Sequence, residues 1–342
     1  MPAAAGAECA AASPTGPLPG SEAALPQRSR LAFLLALLAA LCWGLLPLAL
    51  HIIVPVLDTC TITWCRFLFA ALVIGLFLAR RDALPRPWRL APSLRPLLPV
   101  AVLGITLNYT LFVVGLHLSS PETSQVVGQT ASLFLLVGGL VVYRERFSRL
   151  QWLGAALLVA GLALFFNRRL PLLFIGGSRL GLGVLLLLAG SLSWAFYSLA
   201  QKRLLREWSS AQLLWLLFLG GALLLTPLAH PHKLRLLSAA QGWALAFCCL
   251  NTVIAYGAYA EAMHLWQVAR VGATVAVSPL FTSGATLLAA GWLLPDVVPE
   301  IPNVLTLIGV AGVVGGSALC ALGTPARAPA TPSAATAARF KP

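Results

Sequence analysis

Apolar and polar residues do not alternate along this chain. The apolar residues gather into runs of about 17 to 24 positions, separated by short segments where Arg, Pro, Ser and Gly collect. A helix rises about 1.5 Å per residue, so about 20 apolar residues cross a hydrocarbon core of about 30 Å. The absence of period-two alternation selects helices over strands. The pattern predicts ten spans, at 31–54, 58–79, 96–117, 121–142, 150–166, 180–200, 210–229, 240–262, 268–290 and 303–321. The third and fourth nearly touch across Ser119-Ser120-Pro121.

Composition agrees with this reading. Of 342 residues, 59% are hydrophobic and 10% charged. Soluble domains carry about 25% charged residues, so little of this chain is fit to face water. A multi-pass membrane protein in a lipid bilayer is expected. Residues 1–30 and 322–342, rich in Ala and Pro, read as disordered tails. The run from Leu31 is too long for a secretory signal and reads as a retained span.

The net charge of +13 raises the prospect of nucleic acid, but its placement argues against that partner. With both termini cytoplasmic, 17 Lys and Arg fall in cytoplasmic segments and five outside, and Arg66 lies within a span. That bias is the positive-inside rule. The segment Asn167–Arg179 runs against it. Seven cysteines show no metal or redox spacing, and no metal or cofactor is expected. There is no H-E-x-x-H, no paired intramembrane aspartates, no Ser-His dyad and no G-x-x-x-x-G-K-[ST] loop. The chain reads as neither an enzyme nor an ATP-driven pump.

One decapeptide recurs. Tyr109–Leu118 reads YTLFVVGLHL, and 147 residues later Tyr256–Leu265 reads YGAYAEAMHL. Leu133-Phe134 and Leu280-Phe281 keep the same offset, Trp43-Gly44 answers Trp194-Ala195, and Gly154 answers Gly309. The fold expected is therefore all-α, with ten helices in two five-helix repeats, 31–166 and 180–321, joined by a linker at 167–179. Five is odd, so matching helices cross in opposite directions and the repeats are inverted. Such repeats can exchange conformations around a site near the midplane, which points to transport by alternating access.

The residues marking the repeat resemble the EamA-type branch of the drug/metabolite transporter superfamily. In the first half the likeness rests on Trp43-Gly44, Arg66-Phe67, Asn108-Tyr109 and the run VVYRERFSRLQWLGAALLVAGLAL, with Glu145 at the acidic turn. In the second half it rests on Trp194-Ala195, Tyr256 and Ser278-Pro279-Leu280-Phe281. Ser132 stands where a proline is usual, and span nine is followed by Trp292, Asp296 and Glu300 rather than an acidic turn. The resemblance implies a transporter, commonly an exporter, of small metabolites or drugs. Amino acids, related metabolites and cationic drugs are the expected cargo, in a bacterial-type inner membrane. Phosphorylated metabolites or nucleotide sugars form the alternative, disfavoured because polyanions call for several basic groups in the cavity and Arg66 is the one Lys or Arg well inside a span. A non-transporting scaffold is a further alternative.

Candidate substrate residues follow from intramembrane polarity. Glu122, Gln125, Gln129 and Ser132 fall within about 80° on one helical face, lining a cavity or bonding other helices. Thr274 and Ser278 form the counterpart in span nine. Tyr109 and Tyr256, with Tyr259, offer aromatic faces, and Trp43, Trp194 and Asn108 stand beside them in the repeat. Arg66 either snorkels toward Asp58 or Glu122 or binds an anionic substrate. Pro47 and Pro279 weaken their helices and free carbonyls. His117 and His264, eight residues after the tyrosines, and Glu122 and Glu261 are candidate gating or coupling groups, or interfacial residues. Gly309, Gly312 and Gly316, with Gly154 and Gly161, read as scaffold or as the surface of a homodimer.

Overall fold

The computed structural model describes residues 21–143, 148–168, 171, 175, 177–265, 268–289 and 303–322. The ends 1–20 and 323–342, Glu145, Trp292, Asp296 and Glu300 lie outside the described residues. All long elements within them are helices: α1 (Ser21–Ile53), α2 (Thr59–Ala79), α3 (Leu97–Leu118), α4 (Pro121–Gly128), α5 (Ala131–Tyr143), α6 (Arg149–Phe165), α7 (Arg179–Leu204), α8 (Ser210–Leu225), α9 (Ala239–Leu265), α10 (Val268–Val275), α11 (Ser278–Ala289) and α12 (Val304–Leu322). Among the described residues nine stretches are long and apolar enough to cross a membrane, and α6 is a shorter apolar helix. Leu72, Leu185 and Leu288 are among many large apolar residues left exposed on the bundle, as lipid contact requires. α1 starts ten residues before the predicted span, because Ser21-Glu-Ala-Ala-Leu25 is helix-forming although not yet apolar enough to sit in lipid.

Side chains set the helix boundaries. The Ser120 hydroxyl accepts from the Thr123 N–H at the start of α4, and reciprocal Ser-Gln boxes open α6 (Ser148, Gln151) and α8 (Ser209, Gln212). The helices then associate across the chain rather than only with sequence neighbours: α6 with α12, α3 with α7, α1 with α9, and α2 with α8.

Spans four and nine are each interrupted. α4 gives way to α5 across Gln129-Thr130, and α10 to α11 across Ala276-Val277, 147 residues on. Both interruptions carry i→i−3 bonds, with Thr130 N–H donating to Val127 O and Leu280 N–H to Val277 O. Pro279 explains the second, since it has no N–H for the Val275 carbonyl. It sits in the first turn of α11, where that donor is not needed. In the first, Ser132 stands opposite Pro279, and the ladder is broken by other means. Gly128 weakens it, and the Thr130 hydroxyl takes the Val127 carbonyl at 2.7 Å. Ser132, expected on one face with Gln125 and Gln129, lies beyond this turn, and its hydroxyl pairs with Ser317 of α12 at 2.7 Å, the helix-bonding role that the sequence also allows.

Where α1 and α3 finish and α2 and α9 begin, Leu50, Ile53, Leu57, Ile62, Leu116 and Cys248 form a buried apolar plug, with Leu234 and Leu237 of the α8–α9 connection packed on it. Asp58 clasps this end. Its carboxylate caps α2 by accepting from Thr61 N–H (2.9 Å), and it meets Lys233 Nζ at 3.3 Å and His230 Nδ1 at 3.4 Å. Partial burial pushes the Asp58 carboxyl up, but the Thr61 and Lys233 interactions outweigh it and hold the group below its ordinary value. A carboxyl depressed in the fold contributes stability above its unfolded pKa of about 3.9 and loses it as pH falls through the lower folded value. Asp58→Asn, which keeps an oxygen to cap α2 but loses the charge, is therefore expected to lower stability at pH 7 by about 0.5–1 kcal/mol, the size of a partly exposed ion pair. Melting curves of both proteins should converge once the pH is low enough to protonate Asp58.

Candidate functional site

Three successive carbonyls of α1 receive side chains from three different helices. Asn251 Nδ2 of α9 donates to Cys42 O at 2.5 Å, Gln125 Nε2 of α4 to Trp43 O at 2.5 Å, and the Thr282 hydroxyl of α11 to Gly44 O at 2.6 Å. Pro47 accounts for the middle one. It lies within the continuous helix α1 and has no N–H to offer Trp43 O four residues earlier, so that carbonyl is free for Gln125. Gly44 accounts for the close approach of α11, because a Cβ there would stand 2.7 Å from Ser278 O. Ser278 then joins the halves: its hydroxyl donates to Gln125 Oε1 and accepts from Gln129 Nε2, each at 3.4 Å. The interrupted spans four and nine thus converge on one turn of α1.

The Trp43 ring continues the site into an aromatic cluster. Its centroid is 5.5 Å from Tyr256 and 5.3 Å from Tyr259. Tyr256 meets Phe218 edge-on at 5.7 Å and stacks with Tyr109 at 6.3 Å, and Tyr109 meets Phe67 at 4.7 Å. Edge-to-face and offset arrangements at these separations are the favoured ones for aromatic rings. Arg66 closes the sequence of contacts. Its Cζ lies 4.6 Å from the Tyr109 ring centroid, and its Nε–H donates to Thr252 Oγ1 at 3.1 Å. Arg66 is only 2% exposed and is the only charged residue among the buried described residues. Arg66 points into the bundle, toward Tyr109 and Thr252, while Asp58 is engaged with Thr61, Lys233 and His230.

The structure therefore brings together Trp43, Arg66, Tyr109, Gln125, Gln129, Tyr256, Tyr259 and Ser278. Other expected residues stand elsewhere. Asn108 donates to Gly190 O at 3.0 Å and ties α3 to α7. Trp194 meets Tyr197, centroids 6.4 Å apart, at the margin of the same buried cluster that holds Tyr109 and Tyr256. Thr274 is half-buried near the end of α10. Glu122 lies in the first turn of α4, where an acid suits the helix dipole. His117 and Glu261 are exposed, and the His264 side chain lies outside the described residues.

Sequence reasoning missed Asn251, Thr252, Thr282 and Phe218. The Asn251-Thr252 pair inside an apolar span was the available signal. Thr282 and Phe218 gave none, since single Thr and Phe residues are ordinary in such helices. The glycine stripes serve as scaffold within the chain, with Gly154 and Gly161 of α6 meeting Gly316, Gly309 and Gly312 of α12.

The EamA-like transporter family matches this chain twice, over residues 30–167 and 181–322. The "Uncharacterized inner membrane transporter YhbE" of Escherichia coli K12 is 38% identical over 303 residues, which cover 87% of this chain and 94% of that protein. An "Uncharacterized transporter" of Haemophilus influenzae Rd is 35% identical over 300 residues, 87% of this chain and 97% of that protein. A solved structure titled "Crystal structure of protein" aligns with a TM-score of 0.59 at 18% identity, covering 84% of this chain and 96% of that one; this likeness bears on the fold alone. The matched halves and these relatives identify the chain as a membrane transporter of the EamA-like family, within the drug/metabolite transporter superfamily.

Proposed function

We propose that the chain is a secondary transporter that exports small organic metabolites by alternating access of two inverted five-helix repeats, residues 31–166 and 180–321, with both termini on the cytoplasmic face of an inner membrane. The observation that carries the reading is the pair of interrupted spans. They break 147 residues apart, at the offset of the duplicated decapeptide, and both reach the Trp43 turn of α1. Interrupted helices are a recurrent way to expose backbone polar groups to a solute and to supply hinges.

The helix contacts support the same symmetry. Exchanging the halves turns the α1–α9 contact into α7–α3 and maps α2–α8 and α6–α12 onto themselves. Each repeat thus has an equivalent neighbour for every main contact, as two interchangeable open states require. The name of the Escherichia coli relative supports the inner membrane.

Two measurements test this. Cysteine accessibility in intact cells should place residues 82–90 and 202–207 on one side of the bilayer; opposite sides would refute inversion. Proteoliposomes preloaded with labelled solute should show counterflow without ATP, and Gln125→Ala should reduce it by about tenfold, the effect of losing one buried hydrogen bond that ties a moving span to α1. Flux unaffected by Gln125→Ala would remove the proposed pathway.

A further inference from the structure

Arg66 is a buried cation without a buried anion. Among the described residues no carboxylate lies within 4.0 Å of it. One of its five N–H donors is used, by Nε toward Thr252, and neither Nη has a hydrogen-bond partner among the described residues. Among the described residues three buried side-chain atoms, Thr63 Oγ1, Tyr109 Oη and Asn251 Oδ1, have no hydrogen bond, and all three belong to the helices that hold Arg66 or its partners. Thr63 precedes Arg66 by three residues on α2, Tyr109 lies under the guanidinium, and Asn251 is next to Thr252. Each such atom costs stability if nothing binds it. Unsatisfied polar groups on the helices that hold an unsatisfied guanidinium have the chemistry of a recognition site.

The chemistry of the donors selects the ligand. Arg66 Nη, the Tyr109 hydroxyl and the Thr63 hydroxyl supply hydrogen bonds to an anion. Asn251 is held in one orientation, because its Nδ2 is committed to Cys42 O, so Oδ1 is left as an acceptor one turn of α1 from the Trp43 ring. It fits a hydroxyl or amine donor beside the anion. We infer that Arg66 is the carboxylate-binding residue of the transport site, and that the substrates are small monocarboxylates with an adjacent hydroxyl or amino group and an apolar or aromatic body received by the Trp43, Tyr256 and Tyr259 rings. This rests on the reading of the ring cluster as the substrate site. One guanidinium neutralises one carboxylate, whereas a phosphate dianion would retain uncompensated charge in a low-dielectric site. A cation without a carboxylate meets a like charge and no buried acid among the described residues.

The test is equilibrium binding to the purified full chain in detergent, read by intrinsic tryptophan fluorescence, because Trp43 lies in the ring cluster. The probes are a series of 2-hydroxy acids from lactate to phenyllactate, phenyllactamide, phenethylamine and inorganic phosphate. Acids are expected to bind, and phenyllactamide to bind about 10- to 100-fold more weakly than phenyllactate, as expected for a lost charge-assisted hydrogen bond. Arg66→Gln should bring phenyllactate down to the level of the amide, and Arg66→Lys should restore part of the difference. Thermal melting checks that both variants are folded, and Thr63→Val, which leaves the charge in place, should weaken the acid alone. Equal binding of acid and amide would overturn the proposal, as would tighter binding of the amine or of phosphate, or an acid affinity unchanged in Arg66→Gln. Failure of every acid in the series overturns it as well. Binding is read without a gradient, so acid binding without flux would refute transport and leave the carboxylate site standing. Amine flux without acid binding would do the reverse.

Discussion

Arg66→Met should melt at a higher temperature than the wild-type protein in detergent and carry no measurable flux. The two effects have one cause. A buried charge keeps most of its desolvation penalty when no ion pairs with it, and replacing buried charged groups by apolar ones of similar volume commonly gains about 1–4 kcal/mol. Here the guanidinium recovers part of that penalty from the Tyr109 face and from Thr252, and a desolvated cation–π contact offsets about 2 kcal/mol. That offset leaves a net gain of at most about 2 kcal/mol, a rise of no more than a few degrees. Thr252 tolerates the loss, because its own hydroxyl already donates to Cys248 O at 2.9 Å. Met suits the site because its unbranched chain fills the volume of the arginine stem. Differential scanning fluorimetry and proteoliposome flux on one preparation make the check. A fall in melting temperature would mean that Arg66 holds the bundle together, and the cost of burying it would no longer indicate a function.

The sequence made the spans legible because a lipid-facing helix must be apolar along its whole length, and each run from Leu31 onward meets that demand locally. Arg66 was legible for the converse reason, as a charge inside such a run. Its direction was not, because its partners come from α3 and α9, and Thr252 is 186 residues away. The break in span nine could be read from Pro279. Its counterpart in span four could not, since Gly128 and Thr130 are ordinary residues whose effect depends on the Thr130 hydroxyl turning back to Val127 O. Helical periodicity alone puts Ser132 on the face of Gln129, and its bond to Ser317 of α12 is visible only in the fold. The duplicated histidines leave two roles open, gating or a place at the interface. Repetition marks equivalent positions in two halves, but equivalence carries no demand for chemistry, and His117 is exposed at the end of α3.

Gly316→Val should be among the most destabilising single substitutions in the chain. α6 and α12 approach so closely that glycine backbones form the contact surface. A Cβ at Gly316 would lie 2.5 Å from Leu158 N and 2.6 Å from Gly154 O. One at Gly161 would lie 2.6 Å from Val313 N, and one at Gly309 would meet Phe165 N. These neighbours are main-chain atoms inside helices, so a rotamer change cannot relieve the overlap and the helices must separate. Helix association in lipid gains little from the hydrophobic effect, because the tails are as apolar as the side chains, and it depends on close packing and on polar contacts. Separation would therefore forfeit the main attraction, and would also pull Ser317 from Ser132 and Cys320 from the Gln151 carbonyl. Overpacking a close contact typically costs about 1–3 kcal/mol, and a seam built of backbone belongs at the upper end. Gly312→Ala is the graded control. The nearest atom to its added Cβ is Gly161 Cα at 3.2 Å, a separation that a few tenths of an ångström relieve. Size-exclusion profiles and melting temperatures should rank wild type first, Gly312→Ala close behind and Gly316→Val far below. If Gly316→Val melted like the wild type, α6 and α12 could not be packed as described, and the glycines would be free to serve a contact between two copies of the chain.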